Sequence, residues 1–151
     1  YTNLHLVGPN WYKLKLSKNF THIKDQIKFY GRMDLKEGYT ISKNCLIGLC
    51  ILHPIENYIE SYPTKVFEYM ACSLPVITSN FSLYKKIVQD GDCGICVDYK
   101  NIKDIANSIK FLINNPLKAI ELGKNGRLLV EEKFNWDLEE KKLLNFYKNI
   151  S

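Results

Sequence analysis

Two carboxylates bracket a lysine in the segment Glu60-Ser61-Tyr62-Pro63-Thr64-Lys65-Val66-Phe67-Glu68. Each residue type has a use if the segment contains a helix start. The first amides of a helix lack intrahelical acceptors and carry partial positive charge, so they form an anion site that phosphate commonly fills. Lys65 adds a full positive charge near that turn. A carboxylate grips a diol by accepting two hydroxyl hydrogens. Pro63 suits the first helical position, where its missing N–H is not needed, and the spacing predicts a helix from there to about Cys72. Val66, Phe67, Met70 and Ala71 would form its apolar face, while Thr64 and Glu68, four apart, share another face beside Lys65. Glu60 precedes the helix by three residues and can reach into the crevice at its tip. One segment could thus hold a diphosphate at the helix tip and a ribose at Glu68, with Glu60 facing the group on the far phosphate. Spacing alone leaves a plainer alternative open, two solvated glutamates with Glu68 paired to Lys65.

Such a segment needs a scaffold. Asn3–Gly8 reads as a strand ending in a Gly-Pro turn, and Ile27–Tyr30 as a short strand closed by Gly31. The stretch from Trp11 to about Asp25 is mixed and partly helical, and Asp34–Asn44 reads as a short helix. Cys45–Leu52 is apolar on both faces, as a buried parallel strand would be. Pro75–Thr78 and Cys93–Val97 are two further strands, with a short helix over Leu83–Val88 between them. Asn101 caps a helix with Ile102, Ile105, Ala106, Ile109, Leu112 and Ile113 at helical spacing. Two more helices follow over about 117–132 and 136–150, the first loosened by Gly123 and Gly126. Alternating strands and helices predict an α/β fold, a doubly wound, mostly parallel Rossmann-like sheet with helices on both faces. Ligands bind outside the carboxyl ends of such strands. That rule selects Gly31–Met33, His53–Glu60 and Ser79–Ser82 as the functional edge.

The totals fit one soluble domain: 151 residues, 46% hydrophobic and 25% charged. No apolar run approaches the roughly 20 residues that cross a bilayer. The chain opens on Tyr1 without an initiator Met or a signal peptide, so it is expected to begin inside a longer protein. Net charge is +5, and residues 1–50 hold eight Lys/Arg against three Asp/Glu, which suits anionic partners or a plain solvated surface. Cysteines 45, 50, 72, 93 and 96 suit a reducing compartment. Cys93 and Cys96 form a CxxC, but three residues apart in a strand they should face opposite ways, as packing residues. Asp90-Gly91-Asp92 reads as a turn, not a metal site, and His5, His22 and His53 show no ligand spacing; packing or capping is expected of His53. Gly123-Lys124-Asn125-Gly126-Arg127 has no strand before it, so it reads as an irregular helix join and not as a phosphate loop.

Taken together, E-x7-E at Glu60 and Glu68 within ESYPTKVFEYMACSLPVITS resembles the signature of family-4 retaining glycosyltransferases of the GT-B fold. The likeness covers nearly the whole chain, through LHLVG, IKFYGRM, IVQDGDCGICVD and LGKNGRLLVEEKFNW, with Trp136 in the place of the family's usual tryptophan. It implies the donor-binding, C-terminal domain, over residues 1–151, with the first strand and the acceptor-binding N-terminal domain outside the chain. It implies that Glu68 binds the donor's ribose hydroxyls and that Glu60 contacts the donor sugar at the reacting centre. Ser61, Tyr62, Thr64 and Lys65 would surround the sugar and distal phosphate, and backbone at Arg32-Met33 would hold the base.

The implied reaction is hexosyl transfer with retention from a nucleotide-diphosphate sugar to a glycan or lipid-linked acceptor. No cofactor, metal or nucleic acid is expected. The expected location is cytoplasmic, at the inner face of a membrane if the full protein associates with one. Pro63 stands where the family usually has glycine, and Lys85-Lys86 where a helix often begins with glutamate. The family's Arg and Lys that clamp the diphosphate lie on an earlier strand and loop, so this chain alone is expected to be inactive. Two other readings stand beside this one: a nucleotide-sugar epimerase of related fold, and a non-catalytic doubly wound binding module.

Overall fold

The computed structural model describes residues 3–9 and 18–150. They fall into two units, residues 1–41 and 42–151. In the first unit β1 (Leu4–Val7) pairs in parallel with β2 (Ile27–Gly31). The register shifts between Leu6 and Val7, so that Leu6 faces Phe29 but Val7 faces Gly31. Gly31 closes β2 with φ of 70°, a left-handed conformation that glycine adopts without a Cβ clash. The Gly8 amide donates to the Gly31 carbonyl at 2.7 Å, which ties the two strand ends together. Of the expected helical stretch after Trp11, residues 11–17 lie outside the described residues. Lys18–His22 and Lys24–Gln26 form two 3-10 turns. The helix α1 (Leu35–Ser42) starts in a reciprocal cap. The Glu37 amide donates to Asp34 Oδ1 at 2.8 Å, and Glu37 Oε2 accepts from the Asp34 amide at 3.3 Å.

The second unit has a parallel sheet in the order β3-β4-β5, made of Gly48–Cys50, Val76–Ser79 and Gly94–Val97. β3 is shorter than the apolar run Cys45–Leu52 suggests, because only three residues find partners on β4. Every residue of β4 is buried, as expected of a central strand covered on both faces. Its alternation feeds two cores. Val76 joins Cys50, Val66, Met70, Ile87, Val88 and Cys93 on one side. Ile77 joins Val97, Leu112 and Leu122 on the other, with Ile105 and Ile109 against them.

The helices that supply these side chains are α3 (Thr64–Ala71), α4 (Ser82–Val88), α5 (Ile102–Asn114) and α6 (Pro116–Glu132). A one-turn helix, α2 (Glu56–Ile59), precedes α3, and α7 (Trp136–Lys148) ends the chain. The Asn101 side chain caps α5 by accepting from the Asp104 amide at 3.1 Å. In the described residues the sheets are parallel with helices on both sides, the architecture of a doubly wound fold.

Three expectations are corrected. Gly123 and Gly126 do not loosen a helix, and Gly123–Arg127 is no join, since α6 runs unbroken through them. A Cβ on Gly123 would lie 2.1 Å from the Ser73 carbonyl oxygen, and one on Gly126 would lie 3.1 Å from Met70 Cγ. Both glycines let α6 approach the end of α3. Pro63 is the residue before the helix, extended with ψ of 100°, and not its first helical residue. The two cysteines of the CxxC pack toward the same core, because Cys93 lies just before β5 and outside its alternation.

Candidate functional site

The carboxyl end of β3 begins the site. Leu52 is tied to β4 by the Ser79 hydroxyl, and the chain then turns at His53-Pro54, where the Ile55 amide donates to the His53 carbonyl at 2.8 Å. The turn of α2 follows, and Glu60 ends it, its amide donating to the Glu56 carbonyl at 3.3 Å. Sequence reading missed α2, since four residues carry no readable period. The Glu60 side chain is exposed. Ser61 turns back on the same helix, its hydroxyl donating to the Asn57 carbonyl. Tyr62 is 62% exposed although its ring lies 6.1 Å from that of Phe67, so much of its face is open to a ligand.

Pro63 is buried and anchors the start of α3, its carbonyl accepting from the Val66 amide at 2.9 Å. No side chain caps this end. The amides of Thr64 and Lys65 have no intrahelical acceptor by helix geometry, and both side chains are exposed. Glu68 is half-buried one turn further on. Among the described residues no ion pair joins it to Lys65, which removes the alternative of a Glu68–Lys65 pair.

The opposite face of α3 is fixed firmly. Val66 and Met70 are fully buried, and Gly48 leaves room for the Tyr69 ring: a Cβ there would lie 2.3 Å from Tyr69 Cγ. Burial, then the nearby Cys50 and Glu68, push the Tyr69 hydroxyl up to about 12. At its far end the Ala71 carbonyl accepts from Arg127 Nη1 at 2.6 Å, a cation at a helix C-terminus. Ser73 then takes a left-handed turn with φ of 57° beneath Gly123.

Arg32 and Met33 belong to the first unit. With Tyr30, Glu37, Thr40 and Ile41 they line an open hollow of about 520 Å³ just beyond the carboxyl end of β2. Arg32 is exposed and Met33 half-buried. Glu60, Ser61, Tyr62, Thr64, Lys65 and Glu68 are brought together in the second unit by a single continuous segment.

His53 also stands at the strand ends, its ring edge-on to Tyr99 at 5.2 Å, and Lys100 Nζ lies 5.5 Å above the Tyr99 ring. Tyr99 carries no signal in the sequence, because pairing between loops after separate strands appears only in three dimensions. Asp92 is engaged structurally: it takes Lys118 Nζ at 3.2 Å, and its carbonyl accepts from Asn125 Nδ2 at 2.9 Å. Among the described residues no group of three His, Cys, Asp or Glu side chains gathers as a metal site, and no helix is long and apolar enough to cross a membrane.

Comparison with known proteins shows the family and the fold. The model of the family described as Glycosyl transferases group 1 matches residues 2–129. Spore coat protein SA of Bacillus subtilis is 34% identical over 123 residues, which are 81% of this chain and 31% of that protein. The capsular polysaccharide biosynthesis glycosyltransferase CapM of Staphylococcus aureus is 29% identical over 129 residues, 85% of this chain and 30% of that protein. The structure of Anabaena HepE in complex with UDP-glucose has the same fold, with a TM-score of 0.80 at 17% identity over 97% of this chain and 41% of that one. The chain spans about a third of the length of the curated relatives it matches.

Proposed function

Since the chain belongs to the group 1 glycosyl transferases, we propose that it is the donor-binding domain of an enzyme that transfers a hexosyl group from a nucleotide-diphosphate sugar. The fold is that of GT-B glycosyltransferases. The arrangement of residues 60–68 carries the reading: a carboxylate at the end of one helix turn, an uncapped helix start with a lysine, and a second carboxylate one turn in. The uncapped amides and Lys65 receive the distal phosphate, with Ser61, Tyr62 and Thr64 around the sugar. Glu68 accepts the ribose hydroxyls. A structural relative that binds UDP-glucose supports a nucleotide sugar as the ligand class.

Glu60 faces the reacting sugar. Transfer proceeds with retention through an oxocarbenium-like state, and the carboxylate steadies the positive charge that develops there. The leaving diphosphate carries growing negative charge, which fixed helix amides and lysine stabilise without reorganisation. No metal ion is needed for this. The acceptor, a glycan or lipid-linked sugar, is held by a part of the protein outside this chain. The basic clamp for the diphosphate lies there too.

Kinetics of the full-length protein test the reading. Glu60→Gln is expected to lower kcat by about a hundredfold, in the range of one lost electrostatic stabiliser, with nucleotide diphosphate affinity little changed. A normal kcat would remove Glu60 from the reacting centre. Activity is expected to survive EDTA; complete loss restored by Mn²⁺ would overturn the metal-independent step.

A further inference from the structure

The ladder between β3 and β4 ends at Cys50 opposite Thr78, whereas β4 stays paired with β5 one residue further, at Ser79 opposite Val97. Beyond Cys50 a side chain continues the work of the backbone. Ser79 Oγ accepts from the Leu52 amide at 2.7 Å and donates to the Leu52 carbonyl at 2.7 Å. One hydroxyl thus satisfies both polar groups of one peptide residue, as an opposing strand would. Ser79 is fully buried and Leu52 half-buried, so without the hydroxyl both Leu52 groups would be left short of partners in a place water reaches poorly.

Between Leu52 and Glu60 short-range backbone bonds brace the segment. The His53 carbonyl accepts from the Ile55 amide at 2.8 Å. The Ile55 carbonyl accepts from the Tyr58 and Ile59 amides at 2.8 and 3.1 Å, and the Glu56 carbonyl from the Glu60 amide at 3.3 Å. On the other side of the turn the Tyr99 ring meets His53 edge-on at 5.2 Å, in the loop that follows β5. The residues from 53 to 62 are otherwise exposed, and none of α2 is buried. The core therefore holds this segment at its two ends, at Leu52 and at Pro63.

We propose that Ser79 is a positioning residue for Glu60: its hydroxyl pins Leu52 and so fixes the path of the 53–60 segment to the sheet. The inference rests on the reading of Glu60 as the group that faces the reacting sugar. A carboxylate that must sit near a developing charge loses effect when its backbone wanders, while binding of the nucleotide at Glu68 on α3 does not depend on that backbone.

The experiment uses the full-length protein with Ser79→Ala, Ser79→Thr and Glu60→Gln, and reads amide exchange, thermal melting, kcat and nucleotide diphosphate affinity. Ser79→Ala should melt cooperatively and exchange faster at Leu52 and residues 55–60, with exchange in α5 unchanged. Its kcat should fall about tenfold or more, the loss expected from charge-assisted positioning, with nucleotide diphosphate affinity within about twofold. Ser79→Thr, which keeps the hydroxyl, should restore both the exchange rates and kcat. Unchanged exchange over 52–60 in Ser79→Ala would overturn the staple, whatever Glu60 does. A fall in kcat accompanied by faster exchange throughout the domain would overturn it as well, since that marks general destabilisation. A normal kcat in Glu60→Gln would instead remove the role given to Glu60, and the exchange data would still report on Ser79.

Discussion

Glu68 separates the proposed roles of the two carboxylates most cleanly. It is half-buried on a helix whose other face is locked in the core, so its position is fixed before any ligand arrives. Loss of a charged acceptor costs about 1.5–3 kcal/mol, so Glu68→Ala in the full-length protein should weaken nucleotide-sugar binding more than tenfold. Calorimetry would read this directly, and unchanged affinity would take Glu68 out of the site. Glu60 differs because it sits exposed at the end of a single helix turn and is expected to affect turnover more than affinity. The residue types and the spacing of this pair could be read from the sequence, and so could the helix start between them. The pairing of Ser79 with Leu52 could not. A serine at the end of an apolar strand gives no hint of a partner 27 residues away.

Among the elements, those with a long period were legible and those made by close contact were not. The helix α5 showed its apolar spacing and its Asn101 cap, and both are present. Asn101→Ala should cost about 1 kcal/mol, measurable as a lower melting temperature. The strands β4 and β5 followed from short apolar runs near turn residues. β3 came out shorter than its apolar run because hydrophobicity marks burial and not ladder length. Glycines in α6 were misread for a related reason: helix propensity is local, whereas a glycine's packing value depends on what lies against it. The contact geometry ranks the two positions. Gly123→Ala drives a methyl against a backbone oxygen and should cost about 1–3 kcal/mol, the usual range for overpacking. Gly126→Ala meets the side chain of Met70, which can yield, and should cost less. Thermal melting of the two variants would give the order.

For the whole molecule, two features govern stability. Burial pushes the Cys93 thiol from its ordinary 9.0 up to about 12, and the Tyr69 hydroxyl from 10.0 up to about 12. The unfolded chain releases those protons near pH 9 and 10, whereas the folded one holds them. The contribution of these two groups to stability is therefore full below about pH 9 and is lost between pH 9 and 12, which melting across that range would show. The second feature is β3, which among the described residues ends its three-stranded sheet and lies in a run, residues 45–52, without a charge. Such an edge invites pairing. The 151-residue chain on its own is expected to self-associate on size-exclusion chromatography and to catalyse no transfer; a monodisperse monomer that turned over a nucleotide sugar would show it to be a complete enzyme. The grip of α6 on the end of α3 has a genetic consequence. Arg127 reaches Ala71 from 56 residues later in the chain, and Gly123 and Gly126 lie against Ser73 and Met70. At Gly123 the helix meets backbone, which has no rotamer with which to absorb a displacement. Screens for lost donor binding should therefore recover lesions in α6 as well as at Glu68, and second-site revertants of those lesions should gather around Met70 and Ser73.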